Sequence, residues 1–124
     1  PVYDRNLHEP LKHRLHITGS ILLVEGNYLL LDEKPYRSLS ALCDYCVFIQ
    51  AEENLLRDRL IDRKSRGGLS KEQAEVFYEK SDRCNVQRVL HNRLNSDEVW
   101  KLCTDGGYRL ISRSFDESWQ TFCE

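Results

Sequence analysis

Residues 21–26 read ILLVEG: four apolar residues, from Ile21 to Val24, are followed by Glu25 and Gly26. A short apolar run that ends in a turn residue is typical of a strand buried on both faces, as in a parallel sheet. A second run of this kind covers residues 45–49, and a charged segment with helical character follows from about residue 52 to 65. This alternation of strands and helices predicts an α/β fold with a mostly parallel sheet.

A longer helix is predicted further along the chain. Gly67 and Gly68 would end the first helix, and Ser70 with Gln73 form the pattern of a capping box that starts the next one. This second helix is predicted to reach about residue 94. Its apolar residues that recur at helical spacing are expected to face the core: Val86, Val89, Leu90 and Leu94.

The two ends of the chain are predicted to be less regular than its middle. Residues 1–20 mix prolines, histidines and charges without periodicity, which predicts an irregular loop. Residues 97–103 and 108–111 predict two short strands around a Gly-Gly turn, and residues 112–124 predict a polar tail with aromatic residues at near-helical spacing. We therefore divide the chain into one domain portion, residues 1–111, and the tail.

The composition excludes several classes of protein. The chain has 124 residues, and 18 Lys and Arg against 20 Asp and Glu give a formal charge of −2, which argues against a nucleic-acid binder that would need a basic face. The longest apolar run is far too short to cross a bilayer. The five cysteines, an odd number, do not indicate a secreted disulfide framework and predict a reducing, cytoplasmic setting. The first residue, Pro1, and the absence of methionine predict a piece of a longer protein.

Glu25 is the first candidate functional residue. In open α/β sheets ligands bind beyond the carboxyl ends of the strands, so an acid that follows a buried strand is well placed to hold a metal-bound phosphate. The alternative is a glutamate at the end of a strand that only contacts solvent.

A series of arginines is the second candidate. Arg59, Arg63 and Arg66 follow the spacing i, i+4 and i+7 and would form one stripe on a helix that ends at a Gly-Gly hinge. Guanidinium groups bind phosphate oxygens in bidentate fashion, so the stripe suits a polyphosphate. The alternative is a solvated helix face on which the arginines pair with neighbouring acids, as charge runs usually do.

The opening of the chain and a cysteine pair are weaker candidates. An aromatic ring, a carboxylate and cationic groups, supplied by Tyr3, Asp4, Arg5 and His8, could bind a small polyhydroxylated molecule. Cys43 and Cys46 have the C-x-x-C spacing of metal or redox sites. No second Cys or His pair at ligand spacing accompanies them, which favours two structural thiols.

The order of these segments resembles the uridine kinase, phosphoribulokinase and pantothenate kinase branch of the P-loop kinases. The segments are PVYDRNLHEP at the start, ILLVEGNYLLLD from residue 21, LCDYCVFIQ from residue 42 and RDRLIDRKSRGG from residue 57, with SDRCN in the long helix. The resemblance covers residue 1 to about residue 108. It implies part of a three-layer P-loop NTPase fold with an Arg-rich helical lid, ATP and Mg²⁺ as cofactors, and a small-molecule acceptor.

The resemblance implies a role for each group of candidate residues. Glu25 matches the acid at the end of the Walker B-like strand and would position Mg²⁺ or its water. The lid arginines would close on the ATP phosphates; they are Arg59, Arg63 and Arg66, with catalytic roles for the last two. The residues implied for the acceptor are Tyr3, Asp4 and His8 in the opening loop, Tyr28 as a pocket or packing aromatic, and Asp82 and Asn85 in the helix after the lid.

The sequence departs from this family at the phosphate-binding loop. A P-loop kinase uses G-x-x-x-x-G-K-[ST] to hold the β and γ phosphates, and the chain has no such motif. We therefore expect the C-terminal portion of an ATP-dependent kinase that phosphorylates a hydroxyl of a nucleoside, sugar or pantothenate-like molecule. This portion alone is expected to be inactive. The alternative is a catalytically inactive kinase-like binding or regulatory module.

Overall fold

The fold is that of a computed structural model, which describes residues 2–4, 7, 9–11 and 18–114. Of the predicted tail, residues 112–124, the structure describes only residues 112–114, and the first two of these belong to the last strand. The elements, in chain order, are β1 (Val2–Asp4), β2 (Glu9–Leu11), two 3₁₀ turns (Tyr36–Ser38 and Ser40–Leu42), β3 (Val47–Gln50), α1 (Glu53–Arg66), α2 (Lys71–Phe77), a π-helical turn (Tyr78–Asp82), α3 (Arg83–His91), β4 (Glu98–Leu102) and β5 (Tyr108–Arg113).

The main sheet has the order β3-β4-β5 and confirms a mixed α/β architecture. Strand β3 pairs with β4 in parallel, and β4 pairs with β5 antiparallel. The predicted mostly parallel sheet is thus seen as one parallel and one antiparallel pair. Residues 51–97 connect β3 to β4 and contain the three α-helices found in the described residues, because parallel strands need a long crossover connection.

The two faces of this sheet differ in burial. Phe48 and Val99 are buried on one face, where the Arg93 guanidinium lies 4.3 Å from the Phe48 ring centre. On the other face Val47 and Ile49 are exposed. The prediction that the run at residues 45–49 is buried on both faces is therefore wrong, since only one side of β3 is covered in the described part of the chain.

The predicted strand at residues 21–24 is the clearest error of the sequence interpretation. The structure assigns no strand there, and the side chains of Ile21 and Leu23 are 91% and 94% exposed. A strand needs a neighbour to satisfy its backbone groups, and no described strand pairs with this segment. Glu25 therefore follows an irregular exposed segment instead of a buried strand.

The helical segments agree more closely with the sequence. Helix α1 ends at Arg66, and Gly68, with φ of +106°, allows the backbone bonds from Gly68 N–H to Ser65 and from Leu69 N–H to Lys64 that close the helix. The capping box is confirmed: the Ser70 hydroxyl accepts from the Gln73 N–H at 3.2 Å, and the Gln73 side chain accepts from the Ser70 N–H at 2.9 Å.

The predicted long helix is interrupted by the π-helical turn and ends earlier than expected, at His91. The chain turns there because Leu94 N–H donates to the Leu30 carbonyl at 2.8 Å and Leu31 bridges to Arg93. The four apolar residues predicted to face the core are half-buried: Val86, Val89, Leu90 and Leu94. The fully packed cluster lies earlier in the chain, where Ile61, Ala74 and Tyr78 are buried against one another.

The opening residues are more regular than predicted. Strands β1 and β2 form a small antiparallel pair in which Tyr3 lies opposite Pro10 and Asp4 opposite Glu9. The irregular loop predicted over residues 1–20 is wrong where these strands lie. Within the described residues, no helix has the combined length and apolar character that crossing a membrane requires.

Candidate functional site

The arginine stripe lies on the last turns of α1. Arg59, Arg63 and Arg66 are all exposed on this single helix, which ends at the glycine pair as the spacing predicted. Arg66 pairs with Asp62 at 2.6 Å, whereas no ion pair of Arg59 or Arg63 is found within the described residues. The alternative of a self-paired helix face therefore holds for one of the three arginines.

Lys64 of the same helix points in a different direction from the arginines. Its ammonium group lies 3.4 Å from Asp82 Oδ2 and 3.6 Å from the centre of the Phe77 ring. The side chains of Lys64 and Asp82 are only 18% and 17% exposed, so this ion pair is screened from water far more than the surface pairs of α1. The pair fastens the π-helical turn to the end of α1. Asp82, which was predicted to face a substrate cleft, contacts a lysine that the sequence did not single out.

Three side-chain oxygens are buried where α1 meets the π-helical turn: Ser65 Oγ, Tyr78 OH and Asp82 Oδ2. None of them makes a hydrogen bond within the described residues, although Asp82 Oδ2 forms the ion pair with Lys64. Tyr78 is 1% exposed, and its pKa is raised by burial and by the negative charges of Glu53 and Glu79. Buried polar groups normally have hydrogen-bond partners, and π-helical turns occur often at functional sites. The contact between the end of α1 and the π-helical turn therefore differs from the rest of the helices in both respects.

Tyr28 packs against Tyr36. The Tyr28 and Tyr36 ring centres are 5.3 Å apart at an interplanar angle of 44°, and the Arg88 guanidinium lies 5.9 Å from the Tyr28 ring. The aromatic packing role that the sequence left open is thus observed.

A carboxylate in the same loop, Glu33, binds the end of α3. Arg88 Nε lies 3.0 Å from both Glu33 carboxylate oxygens, and Asn92 Nδ2 donates to Glu33 at 2.8 Å. The hydrogen bond from Arg88 is the largest cause that lowers the pKa of Glu33, and it also raises the pKa of Arg88. Backbone bonds add to the attachment, since Asp32 N–H donates to the Asn92 carbonyl at 3.0 Å. The sequence interpretation missed this clamp, because the partners are far apart in the chain.

A second missed cluster surrounds Glu98 at the start of β4. Glu98 is 8% exposed and accepts from Trp100 Nε1 and from Arg113 Nε, both at 2.6 Å. The bond from Trp100 is the largest cause that lowers the pKa of Glu98, with contributions from Tyr45 and Arg113, while burial opposes the shift. The alternation of side chains along a strand gives no signal for such a group, since it predicts an apolar residue at a buried position.

The remaining predicted residues are not brought into this arrangement. Asn85 lies on α3, half-buried and one turn from Asp82. Asp4 Oδ1 accepts from the Leu7 N–H at 3.1 Å. No described hydrogen bond or ion pair involves the Glu25 side chain. Tyr3 lies on β1, and the predicted residues Arg5 and His8 fall outside the described part of the chain.

The described residues hold no cluster of three His, Cys, Asp or Glu side chains that could bind a metal ion. The Mg²⁺ role predicted for Glu25 stays a prediction. Mg²⁺ in phosphoryl-transfer sites is commonly held by one or two carboxylates, with water and substrate phosphates as the other ligands.

Several curated proteins are similar to this chain, although no family model matches it. It is 42% identical over 112 residues to "Uncharacterized protein YggC" of Escherichia coli K12, which is 90% of this chain and 47% of that protein. It is 27% identical over 117 residues to "ATP-dependent kinase-like protein notR'" of Aspergillus versicolor, covering 91% and 66%. It is 28% identical over 103 residues to "Putative uridine kinase C227.14" of Schizosaccharomyces pombe, covering 80% and 44%.

One solved structure is similar in fold and sequence. The crystal structure of a "putative fructose transport system kinase" from Silicibacter sp. TM1040 superimposes with a TM-score of 0.63 at 27% identity, covering 81% of this chain and 50% of that one. The chain spans about half the length of the E. coli and S. pombe relatives and of this structure. Together these likenesses support a distant P-loop kinase-like relationship.

Proposed function

We propose that the protein takes part in ATP-dependent transfer of a phosphoryl group to a hydroxyl of a small molecule, such as a nucleoside, a sugar or a pantothenate-like compound. The observation that carries the proposal is the end of α1, where arginines are exposed on a helix that stops at a glycine pair. The kinase names of two relatives and of the similar structure support the reaction type. In this proposal the chain is the C-terminal portion of a three-layer P-loop kinase.

The arginines of α1 would bind the phosphates of ATP. Arg63 has no ion pair among the described residues, so it can bind a phosphate without losing a protein partner. Arg66 would exchange the Asp62 carboxylate for a phosphate oxygen. Positive charge placed near the transferring group stabilises the negative charge of the transition state. Arg59 would extend this contact along the helix.

The half-buried pair of Lys64 and Asp82 would position these arginines. It fixes the last turn of α1 on the π-helical turn, so the direction of the stripe is set by a contact that solvent screens weakly. Gly68 would provide the hinge, because its φ of +106° already lies where side-chain-bearing residues are strained.

Glu25 and the opening hairpin complete the proposed site. Glu25 would hold Mg²⁺ directly or through a water, and Mg²⁺ supplies charge neutralisation of the phosphates when it is bound. Asp4 would accept a hydrogen bond from the acceptor hydroxyl, with Tyr3, Arg5 and His8 around it, and Asn85 would face the same acceptor.

The test is an ADP-release assay on the full natural protein, with a panel of nucleosides, sugars and pantothenate. Arg63→Ala is expected to lower kcat/KM by about 100-fold, because one transition-state charge contact is lost. Glu25→Gln should raise the Mg²⁺ concentration needed for half-maximal rate. Arg109→Ala, an exposed arginine on β5 away from α1, is the matched control and should leave the rate unchanged. Equal rates for the wild type, Arg63→Ala and Glu25→Gln would refute the site.

A second candidate function is a kinase-like binding module without ATP chemistry. It is favoured by the absence of G-x-x-x-x-G-K-[ST] from the 124 residues. Calorimetric titration separates the two: a module binds the small molecule with an affinity that ATP and Mg²⁺ do not change, and shows no ADP release with any acceptor.

A further inference from the structure

Cys43 and Cys46 form a thiol pair that the proposed kinase chemistry does not use. Cys43 is exposed at the end of the second 3₁₀ turn, and Cys46 is half-buried directly before β3. The two thiols also interact with each other. Burial is the largest cause that raises the pKa of Cys46, and the charge of Cys43 and a hydrogen bond with Cys43 raise it further. Of the other described cysteines, Cys84 lies on α3 and Cys103 directly follows β4.

Backbone contacts hold both cysteines in place. The Cys43 N–H donates to the Ser40 carbonyl at 3.1 Å, and its thiol lies 3.6 Å from the Leu39 carbonyl. The Cys46 N–H donates to Asp97 Oδ2 at 2.6 Å, and the Cys46 carbonyl accepts from the Asp97 N–H at 2.9 Å. The reaction of two fixed, adjacent thiols has little ordering entropy to overcome.

From this geometry we propose that Cys43 and Cys46 are a dithiol modification site, which exchanges with a low-molecular-weight disulfide and closes to an internal disulfide. Cys43 is the attacking residue because it is exposed, whereas burial disfavours the thiolate of Cys46. The metal alternative for this spacing is not favoured, because no third Cys, His, Asp or Glu completes a ligand cluster among the described residues.

The exchange runs in two steps, with glutathione disulfide as the oxidant. The Cys43 thiolate attacks one sulfur of glutathione disulfide, so that a mixed disulfide forms and one glutathione thiolate leaves. The Cys46 thiol then loses its proton and attacks the Cys43 sulfur, which expels the second glutathione. The protein loses two electrons and two protons, and one glutathione disulfide becomes two glutathione thiols.

Formation of the disulfide between Cys43 and Cys46 would affect the segment directly before β3. Tyr45 lies between the two cysteines, and it hydrogen-bonds the buried Glu98 carboxylate that also binds Trp100. A disulfide from residue 43 to 46 therefore restrains the segment that carries Tyr45. We expect the oxidised form to show altered Trp100 fluorescence, because the Glu98 partner of the indole lies in the same network.

The experiment equilibrates the protein with mixtures of glutathione and glutathione disulfide, traps free thiols and maps tryptic peptides. Cleavage at Arg37 and Arg57 leaves both cysteines, and no other, in the peptide of residues 38–57. The expected result is a loss of two hydrogen atoms from this peptide under oxidising mixtures, with return on reduction. Cys46→Ser should instead accumulate glutathione on Cys43, and Cys43→Ser should leave the peptide mostly unmodified.

Cys84 is the matched control, since it is exposed but has no neighbouring cysteine in the sequence. Cys84 should carry a glutathione adduct and form no internal disulfide. The peptide map of the wild type gives the answer even where a variant folds poorly. The proposal is overturned if residues 38–57 stay reduced while Cys84 is glutathionylated, or if Cys43 stops at the mixed disulfide in the wild type.

Discussion

Replacing Tyr78 with phenylalanine is expected to stabilise the protein. The Tyr78 side chain is 1% exposed and packs against Ile61 and Ala74, and its hydroxyl has no hydrogen-bond partner among the described residues. The substitution removes that hydroxyl and leaves the ring in place. The change therefore isolates the free-energy cost of burying one unsatisfied polar atom in the helical layer.

The size of the effect follows from the contacts that are kept and lost. A buried polar group without a partner costs about 1 to 3 kcal/mol, and phenylalanine does not carry that cost. The ring packing on Ile61 and Ala74 is retained. The Arg57 guanidinium, 5.8 Å from the ring centre, keeps an aromatic face. We expect the free energy of unfolding to rise by about 1 kcal/mol, which raises Tm by about 4 to 8 °C for a domain near 100 residues.

The measurement is urea unfolding followed by circular dichroism, with a thermal scan as a second readout. Tyr108→Phe is the matched control, because Tyr108 is 54% exposed and its hydroxyl can bond to water; its unfolding free energy should change by less than about 0.5 kcal/mol. A loss of about 1 kcal/mol or more on Tyr78→Phe would show that the hydroxyl has a partner, and would refute the unsatisfied junction between α1 and the π-helical turn.

Three further substitutions test other parts of the structure. Glu98→Gln should lower Tm at neutral pH, and the difference in Tm from the wild type should narrow as pH falls from about 6 to about 3. The pKa of Glu98 in the folded protein lies below its value in the unfolded chain. The stability that the Glu98 carboxylate contributes is therefore present above the unfolded pKa and is lost as pH falls through the folded pKa. A gap that is constant with pH would contradict the lowered pKa. Ser70→Ala should cost about 1 kcal/mol in urea unfolding through loss of the cap to Gln73, and Ser38→Ala, outside the α-helices, should cost much less. Gly68→Ala should cost about 1 kcal/mol from its positive φ alone, since no atom lies within 4 Å of the added Cβ; an unchanged unfolding midpoint would argue against that backbone conformation.

The features that could be predicted from the sequence are those fixed by neighbouring residues. The capping box at Ser70 and the end of α1 at the glycine pair depend on side chains and backbone dihedrals within one turn. Both could therefore be predicted from the local sequence. The strand predicted at residues 21–24 was wrong for the opposite reason. Its apolar character shows what the segment would bury, but burial as a strand depends on pairing with a distant one.

The candidate site was predictable in part for the same physical reason. That Arg59, Arg63 and Arg66 share one helix follows from spacing alone. Which basic side chain turns inward depends on the neighbouring helix, and Lys64 does so because Phe77 and Asp82 lie beside it. The Glu33 and Arg88 clamp joins residues 55 positions apart, and local patterns carry no information about such a contact.

The parallel pairing of β3 with β4 has a consequence for the order of folding. Its two strands are separated by residues 51–97, so the pairing must close a long loop, whereas the contacts among α1, α2 and α3 are local. The helices are therefore expected to form before the sheet during folding. In that interval β3 has neither of its edges paired and the apolar residues 21–24 are already in solvent, which makes these two segments the places where newly made chains would associate with one another.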